Sequence, residues 1–113
     1  MQYMLLIYED ESNPRPDDAE MAQWFEVTEA MKQAGVHVAG EALHPTSAAT
    51  TVRMEGGEIV TTDGPFAETR EQLGGYYLID VDDLDAAIEW AGRMPNAHKG
   101  SIEVRPVLVF DED

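Results

Sequence analysis

Cysteine is absent from the 113-residue sequence. Disulfide bonds, thiolate nucleophiles and cysteine-ligated metal sites are therefore excluded. The sequence also lacks any apolar run near the ~20 residues that a membrane-spanning helix needs. Its first residues lead straight into a short strand-like segment, without the basic and apolar pattern of a secretion signal. These features predict a cytoplasmic protein that does not bind membranes.

Basic residues are scarce as well. Seven lysines and arginines stand against 23 aspartates and glutamates, which gives a net charge of −16 with neutral histidines. Such a surface repels phosphate backbones and anionic lipids, so we expect neither nucleic acid nor membrane as a partner. Two interpretations stay open: a solvated acidic surface, and a surface that recruits a basic protein.

The length and the 43% hydrophobic content suit one globular domain spanning residues 1–113. Short apolar segments bounded by turn residues predict strands at residues 3–8, 36–43, 48–54, 59–62, 75–81 and 102–110. Asp17 and either Asp82 or Asp83 are positioned to cap two helices, and Gly56-Gly57 permits a tight hairpin. The order β-α-β, hairpin, β-α-β predicts an α+β fold of the ferredoxin-like kind, with both helices on one face of the sheet.

Helical spacing predicts which side chains enter the core. We expect the first helix to bury Met21, Trp24, Phe25, Thr28 and Met31, and the second to bury Leu84, Ala87, Ile88 and Ala91. Residues 63–75 have loop character, with a helical turn at residues 68–73 as one interpretation. The last three residues form an acidic tail that we expect to fray.

Three predicted strands are apolar on both faces, at residues 3–8, 76–79 and 106–109. Continuous apolar strands indicate a sheet that is covered on both sides. Two helices cover one side only, and the bare side would be a large apolar patch. The sequence therefore predicts a homodimer in which the two sheets pack face to face.

The segment Asp63-Gly64-Pro65-Phe66 is the most distinctive stretch of the chain. In a structural interpretation, Asp63 closes an Asx-turn with the backbone two residues on, and Phe66 fixes the loop. In a functional interpretation, Asp63 is a catalytic carboxylate held beside a cavity, serving as general acid or base. Both interpretations stay open.

His44, between Leu43 and Pro45, is a candidate for the mouth of a cavity. Charged residues lie on or beside apolar strands as well: Glu41, Arg53, Asp63, Glu103 and Arg105. Buried charges need partners, so these side chains predict either ion pairs across the sheet or dimer interface, or the lining of a small pocket. No histidine pair has metal-site spacing, and the aspartates near residue 82 fail the calcium-loop pattern, so we expect no metal and no cofactor.

Residues 62–77 resemble the signature of the DGPF-domain branch of YCII-related proteins. This segment begins with Thr62 and contains Asp63-Gly64-Pro65-Phe66. The similarity extends to residues 40–43, 50–53 and 100–106, in the same order. The resemblance implies a ferredoxin-like dimer, the dimeric α+β barrel. It also implies a largely unassigned function, with members often encoded beside, or fused to, extracytoplasmic-function sigma factors.

The wider YCII group includes a dehydrochlorinase and has been discussed in terms of a His-Asp dyad. Asp63 matches the acidic position, but residues 17–34 contain no histidine to complete the dyad. Two hypotheses follow. One is a non-catalytic dimer that binds a small molecule or a protein of a sigma-factor pathway. The other is a cofactor-free enzyme that uses Asp63 for proton transfer or elimination on a small organic molecule.

Overall fold

The computed structural model describes residues 1–110, and the acidic tail at residues 111–113 lies outside them. The strands are β1 (Gln2–Glu9), β2 (His37–Ala42), β3 (Thr50–Glu55), β4 (Glu58–Asp63), β5 (Gln72–Asp80) and β6 (Ser101–Pro106). The helices are α1 (Asp18–Gln33), which joins β1 to β2, and α2 (Leu84–Gly92), which joins β5 to β6. Short 3-10 turns occupy Thr46–Ala48 and Pro95–His98.

Four strands form one sheet in the order β2-β5-β1-β6, and every neighbouring pair is antiparallel. The crossovers β1-α1-β2 and β5-α2-β6 each skip one strand, which is the split β-α-β arrangement. Leu5 and Ile79 of the sheet share one core with Met31 of α1 and Ala87 of α2. Both helices therefore cover the same face, and the predicted α+β, ferredoxin-like fold is confirmed.

Both helices begin at the expected caps. The Asp17 carboxylate accepts a hydrogen bond from the Glu20 amide at 2.8 Å, and the Asp83 carboxylate accepts one from Ala86 at 2.9 Å. Each bond satisfies an amide that has no partner within the helix. The Glu20 side chain does not return the bond to Asp17; it turns toward Trp24 and Lys99 instead.

The predicted core faces of the helices are partly wrong. Met21 and Phe25 are 40% and 70% exposed, while α1 buries Val27 and Met31. In α2, Ala87 and Ala91 are buried but Leu84 and Ile88 are about half exposed. The buried residues of α2 are the small Ala87 and Ala91, so the covered stripe of this helix is narrow. For α1, the sheet opposite Met21 and Phe25 carries glycine and alanine, which leave a gap.

The strands β3 and β4 form the predicted hairpin as a two-stranded sheet of its own. Gly56 and Gly57 have φ values of 57° and 81°, the left-handed region that a tight two-residue turn requires. The expected helical turn at residues 68–73 is absent from the described chain, because β5 already begins at Gln72.

The sheet face opposite the helices, here called the open face, carries two cross-strand rows. The rows run Glu41, Tyr76, Leu6, Glu103 and Ala39, Leu78, Met4, Arg105. Their central side chains are apolar, as predicted for β1 and β5. The predicted last strand is confirmed for residues 102–106, but its extension to residue 110 was wrong, because β1 begins at Gln2 and β6 ends at Pro106. Leu108, Val109 and Phe110 extend beyond the paired strands and are 74–77% exposed.

Candidate ligand-binding groove

A cavity of about 530 Å³ lies between α1 and the helix-covered face of the sheet. We call it the α1 groove. Its walls and floor include Trp24, Thr28, His37, Gly40, Ala42, Gly75 and Tyr77. The volume falls within the range of small-molecule sites, which are mostly apolar with a few convergent polar groups.

Small residues on the sheet keep the groove open. Gly40 lies opposite Tyr77, and Ala42 lies opposite Gly75, which in turn lies opposite Ile7. A Cβ at Gly40 would meet Cδ1 of Tyr77 at 2.7 Å, and one at Gly75 would meet the Glu41 carbonyl oxygen at 2.9 Å. Glycine in a strand marks a close approach of this kind. The Tyr77 ring can lie across β2 only because residue 40 has no side chain.

Aromatic rings form the wall of the groove. Trp24 stacks on Tyr77 with 6.5 Å between ring centroids and 22° between the planes. His37 meets the same Tyr77 ring edge-on, at 6.1 Å and 75°. Phe25, largely exposed, borders the groove from α1. A flat apolar or aromatic ligand would have ring faces to contact on this wall.

The hydroxyl groups of Tyr77 and Thr28 are polar groups of the groove lining and form a hydrogen bond with each other. Oη of Tyr77 lies 2.5 Å from Oγ1 of Thr28, and either atom could donate. The Thr28 hydroxyl donates its single proton to the Trp24 carbonyl oxygen at 2.9 Å. Tyr77 is therefore the donor to Thr28, because a hydroxyl has only one proton. Its oxygen keeps a lone pair that can accept a bond from a ligand.

Two carboxylates and one lysine close the end of the groove near the start of α1. Nζ of Lys99 lies 3.1 Å from Oε1 of Glu9 and 2.5 Å from Oε1 of Glu20. The hydrogen bonds with Glu20 and then with Glu9 raise the pKa of the Lys99 ammonium above its ordinary value. Glu20 also accepts from the Trp24 indole N–H at 3.3 Å. Two negative charges share one positive charge, so this end carries a net negative charge.

The predicted site residues of the hairpin region lie outside the groove. Asp63 at the end of β4, Arg53 on β3, and His44 and Phe66 in loops are all exposed, and none lines the cavity. The prediction of an Asx-turn at Asp63 is wrong. Such a turn needs the N–H of residue 65, which is proline and has none to donate. Among residues 1–110 the Asp63 carboxylate accepts no hydrogen bond. Gly64, at φ 97°, makes the turn instead.

The other three predicted residues belong to the open face. Glu103 and Arg105 form an ion pair, with Nε of Arg105 donating to Oε2 of Glu103 at 2.7 Å. Glu41 borders the groove through strand β2, but its register partner is Tyr76, on the open face. The structure thus brings Glu41, Glu103 and Arg105 to one face of the sheet and leaves Asp63 and Arg53 on the hairpin.

The sequence pattern of the family described as "YCII-related domain" matches residues 1–111 of the chain. The chain belongs to the YCII-related family. An uncharacterized protein of Rhizobium meliloti (strain 1021) is 41% identical over 117 residues, covering 97% of this chain and 94% of that protein. This YCII-related chain is thus similar to that relative over almost its entire length.

In this YCII-related protein, two of the motifs noted in the sequence meet at the groove: Gly40-Glu41-Ala42 and Gly74-Gly75-Tyr76-Tyr77. The prediction missed Trp24, Thr28 and Tyr77 as site residues. Glycine inside strands β2 and β5, opposite an aromatic helix face, was the signal that could have found them.

Residues 1–110 contain neither a cluster of metal-ligating side chains nor a membrane-spanning helix. No three histidine, aspartate or glutamate side chains in this range lie close enough together to hold a metal ion. Neither helix in the same range has the length and apolar character needed to cross a membrane.

Proposed function

We propose that this protein is a homodimeric binding module of the DGPF-domain branch, which takes a small molecule in the α1 groove. The observation that carries the proposal is the groove itself, about 530 Å³ of space with an aromatic wall and a floor of glycine and alanine. A concave cleft of this size, mostly apolar with a few convergent polar groups, is the usual form of a small-molecule site.

The polar groups of the groove indicate the chemistry of the ligand. The Tyr77 oxygen offers a lone pair, and Glu9 and Glu20 add carboxylates with only Lys99 between them. The Trp24 N–H is already used by Glu20. The other nitrogen-bearing side chains of the lining are Lys32 and His37. At the Glu9–Glu20 end, acceptors therefore outnumber free donors, which favours a ligand with an apolar or aromatic body whose donating head, such as a protonated amine, lies at that end.

The homodimer is proposed through the open face. The chain exposes 8183 Å², against about 6,200 Å² for a compact protein of this mass. Its radius of gyration is 16.3 Å, against about 13 Å for a compact chain of this length. The surplus is roughly 2,000 Å² per chain, or about 4,000 Å² for a pair, which falls within the total surface that obligate dimers bury. Apolar Leu6, Tyr76, Met4 and Leu78, bordered by charged Glu41 and Arg105, resemble an interface core with its rim.

The resemblance to DGPF-domain proteins supports a place for the module in a sigma-factor pathway of the cytoplasm. Catalysis with Asp63 as general acid or base is the less supported function. Asp63 lies exposed and outside the groove, and among residues 1–110 no side chain orients its carboxylate. A general base needs such positioning relative to a substrate.

An NMR titration tests the groove with three matched probes: 2-phenylethylamine, 2-phenylethanol and phenylacetate. We expect the amide resonances of Gly40, Ala42 and Gly75 to shift on addition of the amine, less with the alcohol and least with the acid. The Ala42→Leu variant fills the floor and should abolish the shifts. Ala22→Leu, an exposed position of α1 outside the groove, is the control and should leave them unchanged.

Two outcomes would contradict parts of this account. If phenylacetate shifted the same resonances more than the amine did, the groove would stand as a binding site and the assigned ligand chemistry would be wrong. If none of the three probes shifted the resonances of Gly40, Ala42 and Gly75, or if Ala42→Leu bound them as well as the wild type, the proposed binding function would be wrong.

A further inference from the structure

One line of residues on α1 follows the groove from end to end. Glu20, Trp24, Thr28 and Lys32 succeed each other at intervals of four residues, and all four line the cavity. Residues four apart on a helix lie on the same face. At 1.5 Å per residue, the 12 positions from Glu20 to Lys32 span about 18 Å of the helix axis. This wall thus begins with a carboxylate and ends with an ammonium group.

The sheet places its polar residues in the same order. Glu9, at the end of β1, is joined to Glu20 through Nζ of Lys99, so both carboxylates lie at the beginning of α1. His37 begins β2, which follows α1 after three residues. The groove therefore has two chemically different ends. We call them the Glu20 end, with Glu9 and Glu20, and the Lys32 end, with Lys32 and His37.

The Lys32 ammonium is available to a ligand. Its side chain is exposed, and none of the ion pairs within residues 1–110 involves it. The carbonyl oxygens of Ala30, Met31 and Lys32 already accept hydrogen bonds from residues 34, 36 and 35. These bonds reduce the partial negative charge that a helix carries at its C-terminus. An anionic group can therefore be held at the Lys32 end.

We propose that the α1 groove takes a dipolar ligand, with a protonated amine at the Glu20 end, a carboxylate at the Lys32 end and a flat apolar body between them. This inference rests on the proposed binding function and adds the second polar group of the ligand. The body would lie along Trp24 and Tyr77, whose ring centroids are 6.5 Å apart. Lys32 supplies ammonium donors to the carboxylate, and the His37 imidazole adds a ring nitrogen at the same end.

The separation of the two ends determines which zwitterions fit. In an α-amino acid the amine and the carboxylate share one carbon, so an amine at the Glu20 end would bring the carboxylate beside Glu9 and Glu20, where like charges repel. The net charge of −16 also disfavours anions in general. A carboxylate can therefore strengthen binding only through local contact with the Lys32 end.

A pair of biphenyl compounds tests this ligand class. The probe is 4′-(aminomethyl)biphenyl-4-carboxylate, and the matched control is its neutral 4-carboxamide. Titrations follow the amide resonances of Gly40, Ala42 and Gly75. We expect the carboxylate to bind about two- to fivefold tighter than the carboxamide, the range of a partly exposed ion pair. Phenylalanine, with both charges on one carbon, should bind more weakly than 2-phenylethylamine.

Two variants locate the source of the difference. Lys32→Gln removes the ammonium from an exposed side chain, so the fold should be kept and the two biphenyl compounds should bind equally. Arg53→Gln removes the same charge from β3, outside the groove, and should leave the difference unchanged. Nuclear Overhauser contacts should join the aminomethyl protons to the Trp24 indole and the ring that carries the carboxylate to His37.

The outcomes separate the dipolar ligand from the proposed binding function. Equal binding of carboxylate and carboxamide to the wild type, or a difference that persists in Lys32→Gln, would overturn the dipolar ligand alone. Binding of 2-phenylethylamine without binding of either biphenyl compound would do the same. If neither biphenyl compound nor 2-phenylethylamine shifted the resonances, the proposed binding function would fail together with this inference.

Discussion

Oη of Tyr77 donates to Oγ1 of Thr28 at 2.5 Å, and this bond ties the sheet to α1 across the middle of the groove. The direction follows from the Thr28 proton, which is committed to the Trp24 carbonyl oxygen. The bond holds the Tyr77 ring against Gly40, where a Cβ would meet Cδ1 of the ring at 2.7 Å, and leaves the phenolic oxygen as an acceptor. The same contact thus supports the fold and sets the polarity of the site.

Tyr77→Phe separates these two roles. Thr28 keeps its bond to Trp24, so the free energy of unfolding should fall by only about 1 kcal/mol, the usual net value of one hydrogen bond. Binding of 2-phenylethylamine should weaken because an acceptor is lost. Urea unfolding and the NMR titration measure the two effects. Weaker folding with unchanged amine affinity would show that the hydroxyl is structural only.

Gly40→Ala should destabilise the protein. Its Cβ would come within 2.7 Å of Cδ1 of Tyr77 and 3.1 Å of the Tyr76 carbonyl oxygen. Overpacking of this kind typically costs ~1–3 kcal/mol. Gly92→Ala is the control, since a Cβ there meets nothing within 4 Å and the site is the last residue of α2. Thermal unfolding of both variants checks the prediction, and equal stabilities would show that Tyr77 does not need the space over residue 40.

Lys99→Gln tests the charge cluster at the end of the groove. Because the folded-state pKa of Lys99 is raised, its contribution to stability is fully present below the ordinary value of 10.5 and is lost as the pH rises through the raised value. The loss on substitution should be below about 1 kcal/mol, since the pairs are partly exposed. The difference in unfolding free energy between wild type and variant should stay constant from neutral pH to 10.5 and shrink above it. If the difference in unfolding free energy grew above pH 10.5, Lys99 would not have a raised pKa in the folded protein.

Asp63→Asn should change the free energy of unfolding by less than ~0.5 kcal/mol, as for other exposed residues without partners. Asp63 is exposed, and its side chain makes no hydrogen bond within residues 1–110. Side-by-side thermal unfolding checks this. A turnover loss of ~10²–10⁴-fold with any substrate found by screening would instead revive Asp63 as a general base.

The elements that carry local signals could be predicted from the sequence. Asp17 and Asp83 cap helices, and Gly56-Gly57 turns the hairpin, because each depends on a few neighbouring residues. The apolar residues on both faces of β1 and β5 also predicted the sheet and the apolar face opposite the helices. The fold followed from the order of these elements.

The site could not be predicted in the same way. The groove depends on the cross-strand placement of Gly40 opposite Tyr77, which joins residues 37 positions apart in the sequence and is set by strand order. The assignment of Met21 and Phe25 to the core failed for the same reason, since helical spacing does not show that the facing strands carry glycine and alanine. Asp63 belongs to a distinctive motif, but the sequence could not show its surroundings. It lies at the end of a hairpin that makes few contacts with the rest of its own chain.

The pairing of two chains across the open face is the central claim, and sedimentation equilibrium at micromolar concentration tests it most directly. The account predicts a mass of about 25 kDa, twice the 12.5 kDa of one chain, and a shift toward monomer in Leu6→Lys, which places a charge at the centre of the open face. A folded wild-type protein that sediments at 12.5 kDa under these conditions would contradict it.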